Sequence, residues 1–332
     1  MRLIQCEHEG RLRVAVVESP DRVRLIAGED GTYGLARRAI REHRPLAEVV
    51  EAALTGERLA YAELVRERRL RAPFSHPDPA HCLVTGTGLT HLGSADTRSA
   101  MHSQAQADDS QLTDSMRMFK MGVEGGKPDP RQVGAQPEWF YKGDGDCVVD
   151  PEAAIPVPAF AEDAGEEPEL AGLYVIDDTG QPWRIGYAVG NEFSDHVTER
   201  HNYLWLAHSK LRACSFGPEL LVGELPAHLE GVSRIVRDGE TLWEKPFLTG
   251  EANMAHSLAN LEHHHFKYPG FRRPGDVHVH FFGTATLSFA DAVRTRDGDR
   301  FDIELPAFGR PLRNPLQFDD GDRDTVTAVN TL

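Results

Sequence analysis

Two apolar runs joined by a polar turn form the most regular hydrophobic pattern in the chain. The first run, Leu170–Ile176, follows Glu167 and Glu169. The second run, Ile185–Asn191, is followed directly by Glu192. The turn between them has the sequence DDTGQP. Alternate residues of a strand point to the same face, so both carboxylates of the first run are expected to point one way. The pattern predicts a β-hairpin that brings three carboxylates to one point.

Three convergent carboxylates form a hard oxygen-ligand set that suits Mg²⁺, with Mn²⁺ and Ca²⁺ as alternatives. A strand edge with solvated glutamates produces the same pattern, so both interpretations stay open on the pattern alone. The histidines at 263–265, 278 and 280 offer zinc as another alternative. Consecutive helical residues point about 100° apart and cannot all face one ion. The carboxylates are therefore the preferred metal site.

The N-terminal part of the chain has the periodicity of a small α/β unit. Two short apolar runs around Gly10 predict a hairpin within residues 1–28. Helical spacing follows over Tyr33–Arg44, Leu46–Leu54 and Glu63–Leu70. The proline-rich segment APFSHPDPAH then marks a boundary near residue 75. The predicted divisions are a small N-terminal domain in residues 1–75, a catalytic domain in residues 76–316 and an acidic C-terminal tail in residues 317–332.

Further elements are predicted along the larger division. Cys82–His91 has the pattern of a strand that enters a glycine-rich turn, and Ser194–Ala207 that of a helix leading to Lys210. The methionine-rich part of residues 101–135 predicts a short amphipathic helix. That helix is either a mobile lid or an ordinary surface helix, and the sequence leaves both open.

Composition narrows the classes of partner. The 332 residues carry a formal net charge of −16, which argues against a nucleic-acid or anionic-membrane surface as partner. No apolar run is long enough for a membrane span, and the charged amino end does not have the apolar core of a secretory signal. The four cysteines are far apart with no C-x-x-C spacing, so free thiols in a reducing cytoplasm are expected.

The hairpin also carries motifs that resemble those of the fumarylacetoacetate hydrolase (FAH) family. Glu167-Pro168-Glu169 matches the family's E-x-E, and GYAVGN followed by Glu192 matches its G-Y-x-x-x-N followed by an acid. The family usually has aspartate at the third ligand position, so Glu192 is a departure with a longer side chain. Other matches follow in order within residues 80–316. They are Lys210, Gly217-Pro218, Pro274-Gly275-Asp276, Gly283-Thr284, Gly298-Asp299, and Gly309 with Asn314.

The resemblance implies a fold and an assembly. The expected fold class is α+β and β-rich, with an FAH-like β-roll catalytic domain behind a small N-terminal α/β domain. A divalent cation, Mg²⁺ first, is implied at Glu167, Glu169 and Glu192. Members of the family are usually homodimers, so a cytoplasmic homodimer acting on a small-molecule 2-oxo acid is expected.

One departure from the family bears on the reaction. Hydrolases of the family carry G-L-N-Y-x-x-H, whose histidine activates water. Here Gly88-Leu89 match the start of that motif, but Ser94 stands at the position of the histidine. Hydrolysis of an acylpyruvate needs that base, whereas dehydration needs only a base and an acid beside a metal-stabilised enolate. The sequence therefore favours an Mg-dependent hydro-lyase that dehydrates a 2-keto-3-deoxy sugar acid such as 2-dehydro-3-deoxy-L-arabinonate. The alternatives are a C–C bond hydrolase of 2,4-diketo acids, an oxaloacetate-type decarboxylase and a non-catalytic sugar-acid binding protein.

Roles for individual side chains follow from the same resemblance. Lys142, in a segment like the family's F-x-K, is expected to be a base or an electrostatic holder. His91 and Lys210 are the other candidates for proton transfer. The expected substrate-binding residues are Arg98, Glu251, Asn253 and Thr284.

Overall fold

The computed structural model describes residues 1–92 and 113–332. Its strands are β1 Arg2–His8, β2 Arg11–Ser19, β3 Arg22–Ile26, β4 Leu54–Ala60, β5 Leu70–Arg71, β6 Cys82–Gly86, β7 Phe140–Gly143, β8 Val148–Val149, β9 Ile155–Val157, β10 Pro168–Ile176, β11 Pro182–Asn191, β12 Cys214–Phe216, β13 Leu220–Leu221, β14 Leu229–Arg237, β15 Glu240–Thr249, β16 Val277–Phe281, β17 Arg300–Glu304 and β18 Leu312–Phe318. Its helices are α1 Thr32–Glu42, α2 Leu46–Ala52, α3 Tyr61–Arg66, α4 Asp114–Gly125, α5 His196–His201, α6 Leu206–Lys210 and α7 Leu258–Phe266.

The predicted hairpin is confirmed and lies inside the larger sheet. β10 and β11 pair antiparallel, with Pro168 opposite Asn191 and Glu169 opposite Gly190. β16 pairs with the other edge of β10, the two faces of β10 pack in two apolar cores, and every residue of β10 is buried. A strand buried on both faces reads as a nearly continuous apolar run, which is the pattern of this segment. The carboxylates therefore lie at the end of a central, rigid hairpin.

The larger sheet runs through both predicted divisions of the chain. Its main order is β4-β3-β2-β1-β13-β11-β10-β16-β6-β7. β1 joins the rest because Arg2 pairs with Leu221 and Leu3 with Leu220. One apolar core combines Leu3 and Val14 with side chains of β10 and β16. The N-terminal strands thus extend the sheet that carries the hairpin, and the division at residue 75 stays a prediction.

A second sheet packs against the hairpin. Its order is β15-β14-β17-β18-β9. Leu170 and Val189 of the hairpin share a core with Phe247 and Ile303 of this sheet. The mixed, sheet-rich architecture confirms the predicted α+β class. No helix among the described residues is long and apolar enough to cross a membrane.

Several element bounds differ from the sequence predictions. Leu54, predicted in a helix, begins β4, and α3 ends at Arg66 because Leu70 pairs with Cys6 in the sheet. Backbone pairing with a distant strand overrides local helical spacing there. The predicted helix before Lys210 is present as α5 and α6, with a 3₁₀ turn between them. The tail beyond β18 has no regular structure.

Candidate metal centre

The three glutamates of the hairpin converge as the sequence predicts. One carboxylate oxygen from each of Glu167, Glu169 and Glu192 lies within 4.8 Å of the other two. The side chain of Asn191 accepts a hydrogen bond from the Glu167 amide at 3.2 Å. The amide of Glu192 in turn donates to the carbonyl of Glu167 at 3.1 Å. Backbone pairing at the end of the hairpin therefore sets the spacing of the cluster.

Gly283 completes the position of Glu169. Its amide donates to Glu169 Oε2 at 2.6 Å. Its φ is +88°, and an added Cβ would lie 2.3 Å from Thr90 Oγ1, so both backbone conformation and space require glycine. The other oxygen, Glu169 Oε1, is buried without a hydrogen-bond partner. A buried oxygen left this way is costly unless a ligand or ion meets it.

Two buried lysines neutralise part of the negative charge. Lys210 Nζ lies 2.5 Å from Glu167 Oε1 and 2.6 Å from Glu192 Oε2. Lys142 Nζ lies 2.5 Å from Glu192 Oε1 and also donates to the carbonyls of Phe193 and Lys210. Lys142 thus has three acceptors and a fully enclosed side chain. This arrangement fits the holder role predicted for Lys142 rather than that of a base.

His196 is a site residue that the sequence analysis missed. Its Nε2 lies 3.0 Å from Glu167 Oε1 and its Nδ1 lies 3.2 Å from Asp163 Oδ2. Burial alone would lower the pKa of His196, but its hydrogen bonds to Asp163 and Glu167 raise it to about 10. The ring is therefore an imidazolium that donates from both nitrogens. Gly165 makes room for it, since a Cβ there would lie 2.3 Å from Nδ1.

The carboxylates respond unequally to these neighbours. Burial raises the pKa of Glu169 well above its usual range, and the charges of Glu167 and Glu192 add to the effect. Burial also raises the pKa of Glu192, against the opposing charges of Lys142 and Lys210. For Glu167 the effect of burial is outweighed by Lys210 and His196, which together lower its pKa well below the usual range. Of the three carboxylates, Glu169 is the one whose negative charge is least balanced by neighbouring positive groups.

The cluster fits a divalent cation. Three buried carboxylates supply the hard oxygen donors that Mg²⁺ and Mn²⁺ prefer. Glu169 Oε1 offers an unused donor. Among residues 1–92 and 113–332, this is the one group of histidine, cysteine and acidic side chains that meets the spacing for a metal ion. Because Lys210 bridges Glu167 and Glu192, an ion shared by all three carboxylates would displace its ammonium group.

The histidines do not form a competing site. His265 Nε2 meets His278 Nδ1 at 2.9 Å, and the ring of His265 stacks on His280. Burial lowers the pKa of His278 and His280 to about 3, so they are neutral core groups. These histidines pack α7 against β16, and the preference for the carboxylates over zinc agrees with the geometry.

A cavity of about 460 Å³ opens beside the cluster. Glu167 and Lys210 lie in its wall, as does Thr284, which was predicted to bind substrate. The lining also contains residues that the sequence analysis did not single out. These are Glu138, Glu199, Arg200, Tyr203 and Phe289.

Glu138 is a buried acid in this wall. It lies just before β7, and it accepts a hydrogen bond from the hydroxyl of Tyr203. A Cβ on Gly88 would lie 1.8 Å from Glu138 Oε2, so the Gly88-Leu89 turn leaves room for this carboxylate. Burial raises the pKa of Glu138, while Tyr203 opposes the shift. Burial likewise raises the pKa of Glu199.

Other predicted site residues lie elsewhere. His91 bonds to Thr90 and Thr249 through its two ring nitrogens, and burial lowers its pKa to about 3. It is buried and absent from the cavity lining, so the geometry gives it no proton-transfer role there.

Glu251 and Asn253 serve the chain locally. A carboxylate oxygen of Glu251 accepts from the amide of Leu258 at the start of α7. The side-chain amide of Asn253 donates to the carbonyl of Thr249. Neither residue is in the cavity lining, so their assignment to substrate binding stays a prediction. Arg98 and Ser94 lie outside the described residues.

Comparisons with known proteins agree with the resemblance drawn from the motifs. A probable 2-keto-3-deoxyxylonate dehydratase of Haloferax volcanii is 29% identical over 180 residues, which are 52% of this chain and 58% of that relative. The match therefore covers less than two thirds of the relative. No family model matches the chain.

Solved structures extend the likeness to nearly the whole chain. A 2-keto-3-deoxy-D-arabinonate dehydratase in its apo form superposes with a TM-score of 0.69 at 19% identity, over 97% of this chain and 100% of that chain. A 2-keto-3-deoxy-D-arabinonate dehydratase complexed with magnesium and 2,5-dioxopentanoate superposes with a TM-score of 0.68 at 20% identity, over 96% of this chain and 99% of that chain. A 5-carboxymethyl-2-hydroxymuconate delta-isomerase of Mycobacterium smegmatis superposes with a TM-score of 0.59 at 18% identity, over 96% of this chain and 100% of that chain. These likenesses show a shared fold.

We expect Glu169→Gln to weaken Mn²⁺ binding about 100-fold or more, because it removes the charge that the neighbouring groups compensate least. Isothermal titration calorimetry of wild-type and variant protein measures the effect. Glu166→Gln is the matched control. Glu166 is equally buried and close in sequence, but it accepts bonds from Ser288 and is not part of the cluster. Equal loss of affinity in both variants would contradict the assignment.

Proposed function

We propose that this protein is a metal-dependent hydro-lyase that dehydrates a 2-keto-3-deoxy sugar acid, with a pentonate as the first candidate. The observation that carries the proposal is the buried cluster of Glu167, Glu169 and Glu192, whose member Glu167 lies in the wall of a cavity that is also lined by two further acids, Glu138 and Glu199. The likeness to a dehydratase solved with magnesium and 2,5-dioxopentanoate supports this choice of reaction.

The carboxylate cluster supplies the electrophilic part of the site. Glu167, Glu169 and Glu192 would hold Mg²⁺ or Mn²⁺. When bound, such an ion acts as a Lewis acid that polarises a 2-keto group and makes the C3 hydrogens more acidic. Without an ion, Glu167 and Glu192 raise the pKa of Lys210 well above its usual range despite burial, so Lys210 is an ammonium group. Lys210 lies in the cavity wall, where its charge would stabilise the carboxylate and the developing negative charge of the substrate.

The two cavity acids supply proton transfer. Glu138, whose ionised form is stabilised by Tyr203, is the base that takes a proton from C3 of the substrate. Glu199 has no such donor among its described interactions, and burial raises its pKa, so we assign it the role of the acid. It donates its proton to the C4 hydroxyl, which leaves as water while the C3–C4 double bond forms. The 2-keto-5-hydroxy-3-pentenoate that results becomes 2,5-dioxopentanoate by tautomerisation, in which one proton moves from C5 to C3 and the hydroxyl proton of the resulting enol moves to C4. Burial raises the pKa of both acids, and the hydrogen bond from Tyr203 is the contact that favours Glu138 as the base.

Two roles from the sequence analysis change in this mechanism. Lys142 is a holder of Glu192, because all its hydrogen-bonding capacity is used by buried acceptors. Lys210 is a charged contact for the substrate. Proton transfer passes to Glu138 and Glu199, and Thr284 remains a candidate contact for the substrate at the cavity wall.

The finer points of the assembly are also proposals. We propose a homodimer in the cytoplasm, as the family resemblance implies. The apolar side chains of Leu204, 82% exposed, and Trp205, 46% exposed, support the presence of an interface near the cavity.

The central test is a product assay. With Mg²⁺ present, the protein should convert 2-keto-3-deoxypentonate to 2,5-dioxopentanoate, and EDTA should remove the activity. Nuclear magnetic resonance identifies the product by its aldehyde signal. Pyruvate released from an acylpyruvate, with no turnover of the pentonate, would instead establish the C–C hydrolase. Ligand-induced thermal stabilisation without turnover of either compound would establish the binding protein.

We expect Glu138→Gln to lower kcat by about 100- to 10,000-fold, the usual range for loss of a general base, while Mn²⁺ affinity is retained. In the wild type the base works only when ionised, so kcat/KM should rise with pH through the pKa of Glu138. Stopped assays across pH measure this limb.

Tyr203→Phe is the matched control for that variant. It keeps the ring but removes the hydrogen bond that lowers the pKa of Glu138, so the acid limb should move to higher pH. An acid limb that is unchanged in Tyr203→Phe and still present in Glu138→Gln would assign the base to another residue.

A further inference from the structure

Two of the four cysteines, separated by more than sixty positions in the chain, meet near Lys142, which lines the same cavity as Cys147. Cys147 ends a short 3₁₀ turn after β7, and Cys214 begins β12. Their sulfur atoms are 4.0 Å apart, and both are free thiols. The spacing along the chain gave no hint of this contact, because it arises from the parallel pairing of β8 with β12.

The backbone holds the two cysteines where a disulfide can close. Cys214 pairs with Val148, the residue directly after Cys147. A disulfide requires an S–S distance of about 2.0 Å and Cα atoms about 4.4–6.8 Å apart. Neighbouring strands lie about 4.8 Å apart, so residues in adjacent positions of a ladder fall near that range. The sulfur atoms need to approach by only about 2 Å.

The two thiols differ in access. Cys147 is half-buried and lies in the wall of a cavity of about 690 Å³, whereas Cys214 is 0% exposed. The hydrogen bond from Cys214, assisted by the charge of Lys142, lowers the pKa of Cys147. Burial raises the pKa of Cys214. Access and charge therefore both favour Cys147 as the thiol that reacts with a reagent from solvent.

We propose that Cys147 and Cys214 form a redox modification site, at which a low-molecular-weight disulfide reacts with Cys147 and Cys214 then closes an internal disulfide. This assignment is independent of the reaction proposed for the metal centre.

The exchange balances with glutathione disulfide as the oxidant. The Cys147 thiolate attacks one sulfur of glutathione disulfide, which forms a mixed disulfide and releases one glutathione thiolate. The Cys214 thiolate then attacks the sulfur of Cys147 and releases the second glutathione thiolate. The two cysteines lose two electrons, and their two protons end on the two glutathione molecules. A dithiol such as dithiothreitol reverses both steps.

The position of the pair ties it to the candidate metal centre. An added Cβ on Gly143, the residue after Lys142, would lie 3.2 Å from Cys147 Sγ. Cys214 is followed by Ser215, which pairs with Asn191 beside Glu192. A bond between the two sulfurs joins the segment that carries Lys142 to β12, the strand that pairs with the end of β11 next to Glu192.

The experiment incubates the full-length protein with oxidised glutathione and maps disulfides by mass spectrometry of unreduced peptides. We expect the Cys147–Cys214 peptide pair to appear in wild type and to disappear after dithiothreitol. Cys214→Ser should stop at a mixed disulfide between Cys147 and glutathione. In Cys147→Ser, the yield of mixed disulfide between Cys214 and glutathione should be at least tenfold below the yield at Cys147 in Cys214→Ser.

Cys82→Ser is the matched control, since Cys82 is another buried cysteine whose side chain faces the same 3₁₀ turn. It should form the Cys147–Cys214 bond as readily as wild type. The assignment is overturned if wild type forms no such bond at a large excess of oxidised glutathione. A bond from Cys147 to Cys82, or a stable mixed disulfide in wild type as the only product, would overturn it equally.

Discussion

The mutual repulsion of three buried carboxylates is the constraint on which the site depends. Glu167, Glu169 and Glu192 are held within 4.8 Å of one another where water cannot screen them. Lys142, Lys210 and the His196 imidazolium supply three opposing charges, yet within the cluster they contact Glu167 and Glu192 and not Glu169. Glu169 keeps an unpartnered oxygen and a raised pKa. The cluster is therefore built for a cation that reaches the third carboxylate, which no side chain among the described residues does.

The fold tolerates this cost because the hairpin is rigid. β10 is buried along its whole length between β11 and β16, and the second sheet packs on the same hairpin. The carboxylates cannot separate without breaking those pairings. The proposed proton-transfer groups come from other parts of the chain, Glu138 ahead of β7 and Glu199 in α5, so the charge cluster and these two cavity acids are positioned independently. This separation allows one scaffold to hold a cation in place while the cavity wall determines the reaction.

The hairpin and its carboxylates were predictable because they depend on local rules, alternation along strands and a polar turn. The acid–base residues were not, since Glu138 meets Tyr203 across 65 positions and neither lies in a distinctive local pattern. The sequence alone does not distinguish an acid that binds substrate from one that accepts a hydrogen bond from the first amide of a helix, as Glu251 does here. The hydrophobic pattern likewise could not predict the pairing of Leu3 with Leu220, because the two residues are far apart in the chain. Asp276 and Asn314 belong to the motifs that match the family in order. Asp276 bonds to His81, and the side-chain amide of Asn314 donates to the carbonyl of Asp150, so both residues stabilise the fold and lie outside the cavity lining.

The most direct test of the central claim is a crystal structure of the protein grown with Mn²⁺, with anomalous scattering recorded to locate the ion. The account predicts one strong peak bonded to Glu167, Glu169 and Glu192 at about 2.1 Å, a distance typical of small divalent ions with oxygen ligands. It also predicts that Lys210 Nζ has moved from between Glu167 and Glu192. An anomalous map without a peak at the three carboxylates, with the Lys210 ammonium still bridging Glu167 and Glu192, would contradict the account.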